Sequence, residues 1–208
     1  MNNKSVFVLG DSISIHYGPY LSELFKNNFD YSRKGDIEID PDNPTHLGDD
    51  RNNGGDSRLV LEYLTGLFKS RGFDYNYLLL NCGLHDIKQK HGNCQIPLPD
   101  YDKNLQNIIK LVTCFSGTQI IWINSTPVDD EIHKKNTDIV RVNRDVIKYN
   151  KAACQIMSEN GIPEIDLYGF TLNLPEDLYC DHVHFTHPVR KKQAEFIYYK
   201  FMEIALLG

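Results

Sequence analysis

The chain alternates short, continuous apolar runs with longer segments of helical period, and this alternation constrains its fold more than any other feature. Strands buried on both faces and joined by helices favour a parallel sheet. The right-handed crossover rule then favours a doubly wound sheet with helices on both faces. The predicted strands are Ser5–Gly10, Phe29–Arg33, Tyr75–Asn81, Gln119–Asn124 and Pro163–Leu167. The predicted helices are Pro19–Asn27, Ser57–Phe68, Tyr101–Thr113, Asp138–Asn160 and Pro188–Leu206.

Length and composition fit one soluble domain, which we predict to span residues 1–208. The formal net charge of -6 disfavours a nucleic-acid partner, because phosphate binding needs a concentrated basic surface. No apolar stretch is long enough for a transmembrane helix, and no signal-peptide pattern follows the N-terminus. The five cysteines are scattered and lack a C-x-x-C motif, which indicates free thiols in a reducing compartment. We therefore expect a cytoplasmic protein, unless an export signal has been removed; the oligomeric state stays open.

Polar motifs follow three of the predicted strands. They are Gly10-Asp11-Ser12, the segment Asn81–Asp86 and Ser125-Thr126-Pro127. Ligands of open α/β sheets bind at the carboxyl ends of the strands. We expect the functional site there.

Ser12 is the first candidate for chemistry, because it lies between a buried strand and a helix. A serine hydroxyl is a weak nucleophile until a base takes its proton. The N–H groups of a helix start can stabilise the oxyanion that such an attack creates. The alternative is that Ser12 only caps a turn.

A second candidate motif, Asp181-His182-Val183-His184, lies near the other end of the chain. In a tight turn, positions three apart share a face, so Asp181 can hold one ring nitrogen of His184 and leave the other as a base. One alternative is a solvated loop. Another is a metal site that adds His182 and His187, although no second cluster supplies a distant ligand of equal quality.

Two further segments offer oxyanion donors. Gly54 and Gly55 precede a predicted helix and permit close backbone approach, although an ordinary helix start is the simpler explanation. After the third strand, either Asn81 or His85 can donate a hydrogen bond. Cys82 is more typical of a buried packing residue than of a nucleophile.

Taken in order, these motifs resemble the SGNH (GDSL-like) hydrolase family over nearly the whole chain. The resemblance implies a three-layer α/β/α sandwich with a flavodoxin-like, five-stranded parallel sheet. It implies that Ser12 is the nucleophile, that Gly55 gives a backbone N–H to the oxyanion hole, and that Asp181 and His184 are acid and base. One position departs from the family pattern: its third block usually reads Gly-x-Asn-Asp, and here His85 replaces the asparagine.

The resemblance further implies hydrolysis of an acyl ester through an acyl-serine, without metal or organic cofactor. The Ser12 and Gly55 N–H groups, with the His85 side chain, then hold the oxyanion. A neutral imidazole has one N–H donor, which can replace the asparagine amide. Loss of one such donor costs about 2.7–4 kcal/mol of transition-state stabilisation, so the substitution bears directly on the rate.

The substrate is less constrained than the chemistry. Polar side chains in the predicted loops Gly35–Asn53 and Asp86–Pro99 favour a small-molecule or carbohydrate ester, with acetyl as the acyl group. The alternative is that these loops are plain solvated connections. The resemblance also allows lysophospholipase, thioesterase and aryl-esterase activity. Two other functions remain open: an O-acyltransferase that uses the same triad, and a catalytically weak ligand-binding protein.

Overall fold

A computed structural model describes residues 3–35, 51–70, 72–136, 139–175 and 177–207. Most of the predicted loop Gly35–Asn53 lies outside these residues. In chain order the elements are β1 (Lys4–Leu9), α1 (Ser12–Phe25), β2 (Phe29–Arg33), α2 (Ser57–Ser70), β3 (Tyr77–Leu80), β4 (Gln89–Lys90), β5 (Asn93–Cys94), α3 (Leu98–Phe115), β6 (Gln119–Ile123), α4 (Asp130–Asn136), α5 (Asn143–Glu159), β7 (Glu164–Ile165), α6 (Leu167–Leu172) and α7 (His187–Leu207).

The central sheet has five parallel strands in the order β2-β1-β3-β6-β7. Numbered among themselves, these strands follow the order 2-1-3-4-5 of flavodoxin-like folds. The strand order reverses between β1 and β3, and ligands of such sheets bind at this switch point. The predicted flavodoxin-like parallel sheet is confirmed.

Continuous apolar runs explain why β1 and β3 lie at the centre. Val6–Leu9 and Tyr77–Leu80 are buried along their whole length, as expected of strands covered on both faces. The helices divide into two packed groups: α7 packs against α1 and α6, while α3 packs against α2 and α5. The result is the predicted α/β/α sandwich, and none of the described helices is long and apolar enough to cross a bilayer.

Helix α1 begins at Ser12, seven residues before the predicted start at Pro19, and that prediction was wrong. Asp11 caps the helix, since its Oδ1 accepts a hydrogen bond from the Ile13 N–H at 2.9 Å. Pro19 lies inside the helix rather than at its first turn. Burial of Ile13, Ile15 and Tyr17 against the core outweighs the poor helix propensity of this segment.

Two segments outside the predicted strands and helices contain secondary structure. The segment Ser125–Asn136 includes helix α4, whose start is capped by Asp129 Oδ1, which accepts from the Glu131 and Ile132 N–H groups. The segment His91–Pro99 includes β5, which pairs with β4 in a short antiparallel hairpin. Helix α5 begins at Asn143 instead of Asp138. Elements as short as β4, β5 and α4 carry too few apolar positions to show a period in sequence.

Candidate active site

The carboxyl end of β1 places Ser12 at the first position of α1. The turn that presents it is fixed by two hydrogen bonds: Asp11 caps the helix, and Ser14 Oγ donates to the Asp11 carbonyl oxygen at 2.7 Å. As the first helical residue, Ser12 has a backbone N–H without an intrahelical acceptor. Hydroxyl and N–H therefore stand together at the positive end of the helix.

A continuous hydrogen-bonded chain joins Ser12 to the distant motif. His184 Nε2 lies 2.8 Å from Ser12 Oγ, and His184 Nδ1 lies 2.7 Å from Asp181 Oδ2. The contact between His184 and Ser12 joins residues that are 172 positions apart in sequence. The second carboxylate oxygen of Asp181 accepts from the Val183 and His184 N–H groups at 2.8 and 2.7 Å, which forms the tight turn that the spacing predicts. The three side chains have the arrangement that a serine nucleophile, its base and an orienting carboxylate require.

Asp181 is set to stay ionised. Burial raises the pKa of its carboxyl, but the hydrogen bonds from the His184 ring and from the His184 and Val183 N–H groups outweigh burial, so the net pKa lies below its ordinary value. An ionised Asp181 holds His184 in the tautomer with Nε2 directed at Ser12. The same carboxylate lies where it can stabilise a positive charge on the His184 ring.

The segment that carries Asp181 and His184 is braced on both sides. The Cys180 N–H donates to the His184 carbonyl oxygen at 2.9 Å, and Arg190 Nε of α7 donates to the Phe185 carbonyl oxygen at 2.6 Å. From α4, His133 Nδ1 lies 3.0 Å from the His182 carbonyl oxygen. Both α4 and α7 therefore fix the position of the base.

The alternative of a metal site finds no support in the geometry. His187 Nδ1 pairs with the Tyr20 hydroxyl at 3.2 Å, and the His182 ring packs against that of His133. Within the ranges that the structure describes, no three His, Cys, Asp or Glu side chains form a group able to hold a metal ion. The His182 ring instead packs edge-on against the His184 ring, with the two centroids 5.9 Å apart.

His16, which the sequence analysis did not single out, lies against the base. Its ring centroid is 4.4 Å from that of His184, with the two planes 34° apart. His16 is buried, and among the described residues neither of its ring nitrogens has a hydrogen-bond partner. Burial, followed by the nearby His184, lowers the pKa of His16 to about 2, so the ring stays neutral and forms a wall behind the base. Its position four residues after Ser12, on the same helix face, was the available signal.

Gly54 and Gly55 lie against the nucleophile turn. The Gly54 N–H donates to the Gly10 carbonyl oxygen at 2.8 Å, and a Cβ on Gly54 would lie 3.0 Å from that oxygen, so a larger residue would have to displace the Gly10 backbone by a few tenths of an ångström. Gly55 has φ of +73°, which also favours glycine. Its N–H donates to Asn53 Oδ1 at 2.8 Å. The predicted oxyanion donor therefore lies one residue after the contact between Gly54 and Gly10, but its N–H is engaged by Asn53.

His85 lies in the turn after β3, where the family pattern has asparagine. Its Nδ1 is 3.0 Å from Lys88 Nζ. Burial, then the positive charges of Lys88 and Arg141 and the nearby His184, lower the pKa of His85 to about 3. The ring is therefore neutral at ordinary pH. The other candidate donor of this segment, Asn81, uses its amide to donate to the Ile123 carbonyl oxygen at 2.8 Å, which leaves it a structural role.

Two buried neighbours of His85 complete the turn. Asp86 accepts from the Ser57 N–H at 2.9 and 3.1 Å, which ties the turn to the start of α2 just beyond Gly55. Cys82 is fully buried, and burial raises the pKa of its thiol well above the ordinary value, as expected of a packing residue. Arg141, which gave no sequence signal, donates from Nε to the Leu84 carbonyl oxygen at 2.7 Å.

The known proteins that this chain resembles were found by comparison of structures, not of sequences. No protein-family model matches the sequence, and a search of curated proteins finds no significant match. A lipase/acylhydrolase from Enterococcus faecalis is 15% identical with a TM-score of 0.68, covering 95% of each chain. A member of the lipolytic protein G-D-S-L family from Veillonella parvula is 15% identical with a TM-score of 0.65, covering 97% of each chain. An acetylxylan esterase from Geobacillus stearothermophilus is 14% identical with a TM-score of 0.64, covering 95% of this chain and 93% of that chain. These likenesses extend over almost the whole chain and show that it has the fold of the GDSL-type (SGNH) acylhydrolases.

Proposed function

We propose that this protein is a serine esterase that hydrolyses an acyl ester through an acyl-serine intermediate. The observation that carries the proposal is the chain of contacts from Ser12 Oγ through His184 to Asp181, with distances of 2.8 and 2.7 Å. Nucleophile and base are thus within hydrogen-bond reach, and the base is oriented by a third group.

In the first half-reaction Ser12 Oγ attacks the ester carbonyl carbon while His184 Nε2 takes the hydroxyl proton. The tetrahedral oxyanion is held by the Ser12 N–H, by the Gly55 N–H once Asn53 releases it, and by the His85 side chain. Collapse of this intermediate breaks the bond to the alcohol, which leaves with the proton from His184. Water then attacks the acyl-serine with His184 again as base, and releases the carboxylic acid.

For the substrate we propose an acetyl ester on a carbohydrate. Some solved structures of the same fold are described as acetylxylan esterases. In this chain, Gln95 Nε2 donates to Asp56 Oδ2 at 2.7 Å, which holds the polar β4–β5 hairpin beside the Gly54–Gly55 turn. Exposed polar side chains of this hairpin, such as Asn93, suit sugar hydroxyls better than a long acyl chain.

The test compares wild type with Ser12→Ala on p-nitrophenyl acetate, butyrate and octanoate, and on a panel of acetylated sugars. We expect hydrolysis to fall with acyl length and to disappear in Ser12→Ala. Ser70→Ala, at the end of α2, is the matched control and should retain wild-type rates. Equal rates for wild type and Ser12→Ala would overturn the nucleophile. A preference for octanoate would overturn the acetyl assignment alone.

A sugar acceptor distinguishes hydrolysis from transfer. With a free sugar present, an esterase releases acetate at an unchanged rate. An O-acyltransferase instead forms acetylated sugar that mass spectrometry detects. Acetylated sugar as the main product would contradict hydrolysis while leaving the triad in place.

A further inference from the structure

The contact between Lys88 and His85 determines which ring nitrogen of His85 carries the proton. Lys88 Nζ lies 3.0 Å from His85 Nδ1. A lysine ammonium has three donors and no acceptor, so in this contact the ammonium donates and Nδ1 accepts. The ring proton of a neutral His85 is then on Nε2.

The backbone fixes this pair in one turn. The Ile87 N–H donates to the Gly83 carbonyl oxygen at 3.0 Å, and the Lys88 N–H donates to the His85 carbonyl oxygen at 3.3 Å. The Lys88 carbonyl oxygen in turn accepts from the Gln95 N–H at 2.7 Å, so the β4–β5 hairpin braces the turn. Residues three apart in such a turn present side chains on one side, which explains how Lys88 reaches Nδ1.

A histidine in place of asparagine raises a problem that this contact solves. An asparagine amide always carries N–H donors, whereas a neutral imidazole carries one proton that either ring nitrogen can hold. A ring that exchanges its tautomer offers a donor at a given nitrogen only part of the time. Protonation does not remove the problem, because burial and the charges of Lys88 and Arg141 keep His85 neutral at ordinary pH.

We propose that Lys88 is a positioning residue that fixes His85 as the Nε2–H tautomer, so that His85 and Lys88 together perform the role of one oxyanion-hole asparagine. This inference rests on the proposed function for its catalytic consequence. The tautomer itself does not depend on catalysis and can be measured without turnover.

The first experiment is a long-range ¹H–¹⁵N spectrum of ¹⁵N-histidine-labelled protein at pH 7, with His85→Asn used to assign the His85 signals. We expect the Nε2–H pattern in wild type and in Lys88→Arg, which keeps a donor-only cation. In Lys88→Met we expect a shift towards a mixture of tautomers. An Nδ1–H pattern in wild type, or an identical pattern in Lys88→Met, would overturn the proposal. The thermal midpoint of each variant checks that it is folded.

The second experiment is a double-mutant cycle on p-nitrophenyl acetate. Lys88→Met should lower kcat about three- to tenfold with little change in KM, less than the roughly 100-fold loss expected when an oxyanion donor is removed outright. In a His85→Asn background, Lys88→Met should change kcat less than about twofold, because an amide has no tautomer to fix. An equal loss in both backgrounds would show that Lys88 acts on the oxyanion by its charge alone and would contradict the proposal.

The two experiments separate this inference from the proposed function. If Ser12→Ala retains activity, the esterase mechanism fails while the spectrum still reports the tautomer. If Ser12→Ala is inactive and the cycle is additive, the esterase mechanism stands and the role of Lys88 fails.

Discussion

The two sides of the candidate active site differ in how completely their contacts are formed. On the base side, Ser12, His184 and Asp181 contact one another directly, and every contact has the geometry that catalysis needs. On the oxyanion side, the Gly55 N–H is engaged by Asn53, and His85 depends on Lys88 for its tautomer. The base side is therefore preformed, whereas the oxyanion side must release one donor and keep another in the correct state. In the proposed mechanism we therefore expect the oxyanion side to limit the rate.

The largest effect should come from the base side. Asp181→Asn should lower kcat roughly 10,000-fold, because an amide in place of the carboxylate favours the wrong tautomer of His184 and cannot stabilise the imidazolium. Steady-state kinetics on p-nitrophenyl acetate measure this loss. Asp177→Asn, an exposed neighbour, is the control and should be unchanged. A loss below tenfold for Asp181→Asn would show that Asp181 does not orient and stabilise His184 as proposed.

The two sides should also differ in the sign of their pH-dependent stability. Asp86, on the oxyanion side, has a pKa raised by burial to about 7. Because its folded pKa lies above its unfolded value, its contribution is full below about pH 4 and is lost as the pH rises to 7, by up to about 4 kcal/mol. Asp181 has a lowered pKa, so its contribution is present above its unfolded pKa and is lost only in acid.

Asp86→Asn tests this difference. The amide oxygen can still accept from the Ser57 N–H, but it does not titrate. The free energy of unfolding of the variant relative to wild type should therefore rise steadily between pH 4 and 7 in denaturant titrations. Ser70→Ala, an exposed change that removes no ionisable group, is the control and should give a constant difference. A constant difference for Asp86→Asn would refute the titration of Asp86 in this range.

His85 provides the direct test of the oxyanion side. His85→Ala should lower kcat about 100-fold with little change in KM, the pattern of an interaction made only in the transition state. His85→Asn, which restores an amide donor, should retain substantial activity. If kcat of His85→Ala equals that of wild type, His85 has no part in stabilising the oxyanion.

The smallest effect concerns Asn53. Asn53→Ala removes the acceptor that competes for the Gly55 N–H and should raise kcat about two- to fivefold, the equivalent of a net hydrogen bond of ~1 kcal/mol or less. The turn should survive, because the Gly54 N–H still donates to the Gly10 carbonyl oxygen. Asn53→Asp keeps an acceptor and should show no such gain. A fall in kcat for Asn53→Ala would mean that Asn53 supports the donor rather than competing with it.

The base side was predictable from sequence because its motifs are local. A Gly-Asp-Ser turn after a buried strand and an Asp-x-x-His turn each fix their own geometry, and the packing of α7 against α1 then brings their side chains together. Much of the sheet was predictable for the same reason, since continuous apolar runs such as Val6–Leu9 favour central strands. Because the carboxyl ends of β1 and β3 lie at the same edge of the sheet, the polar turns that follow these strands meet there.

The contacts between elements were not predictable. His16 lies in a segment that was expected to precede α1, because Pro19 is typical of a helix start; tertiary burial carried the helix seven residues further back. The engagement of Gly55 by Asn53 and of His85 by Lys88 depends on side-chain orientation, which no spacing of residue types specifies. Arg141 reaches the Leu84 carbonyl oxygen across 57 residues of sequence.

Reaction with a fluorophosphonate, followed by intact-mass and peptide mass spectrometry, tests most directly whether Ser12 is a nucleophile activated by His184. We predict one phosphonyl group per chain, attached to Ser12, absent in Ser12→Ala and formed far more slowly in Asp181→Asn. A wild-type protein that stays unlabelled, or a Ser12→Ala variant labelled at the wild-type rate, would contradict this prediction.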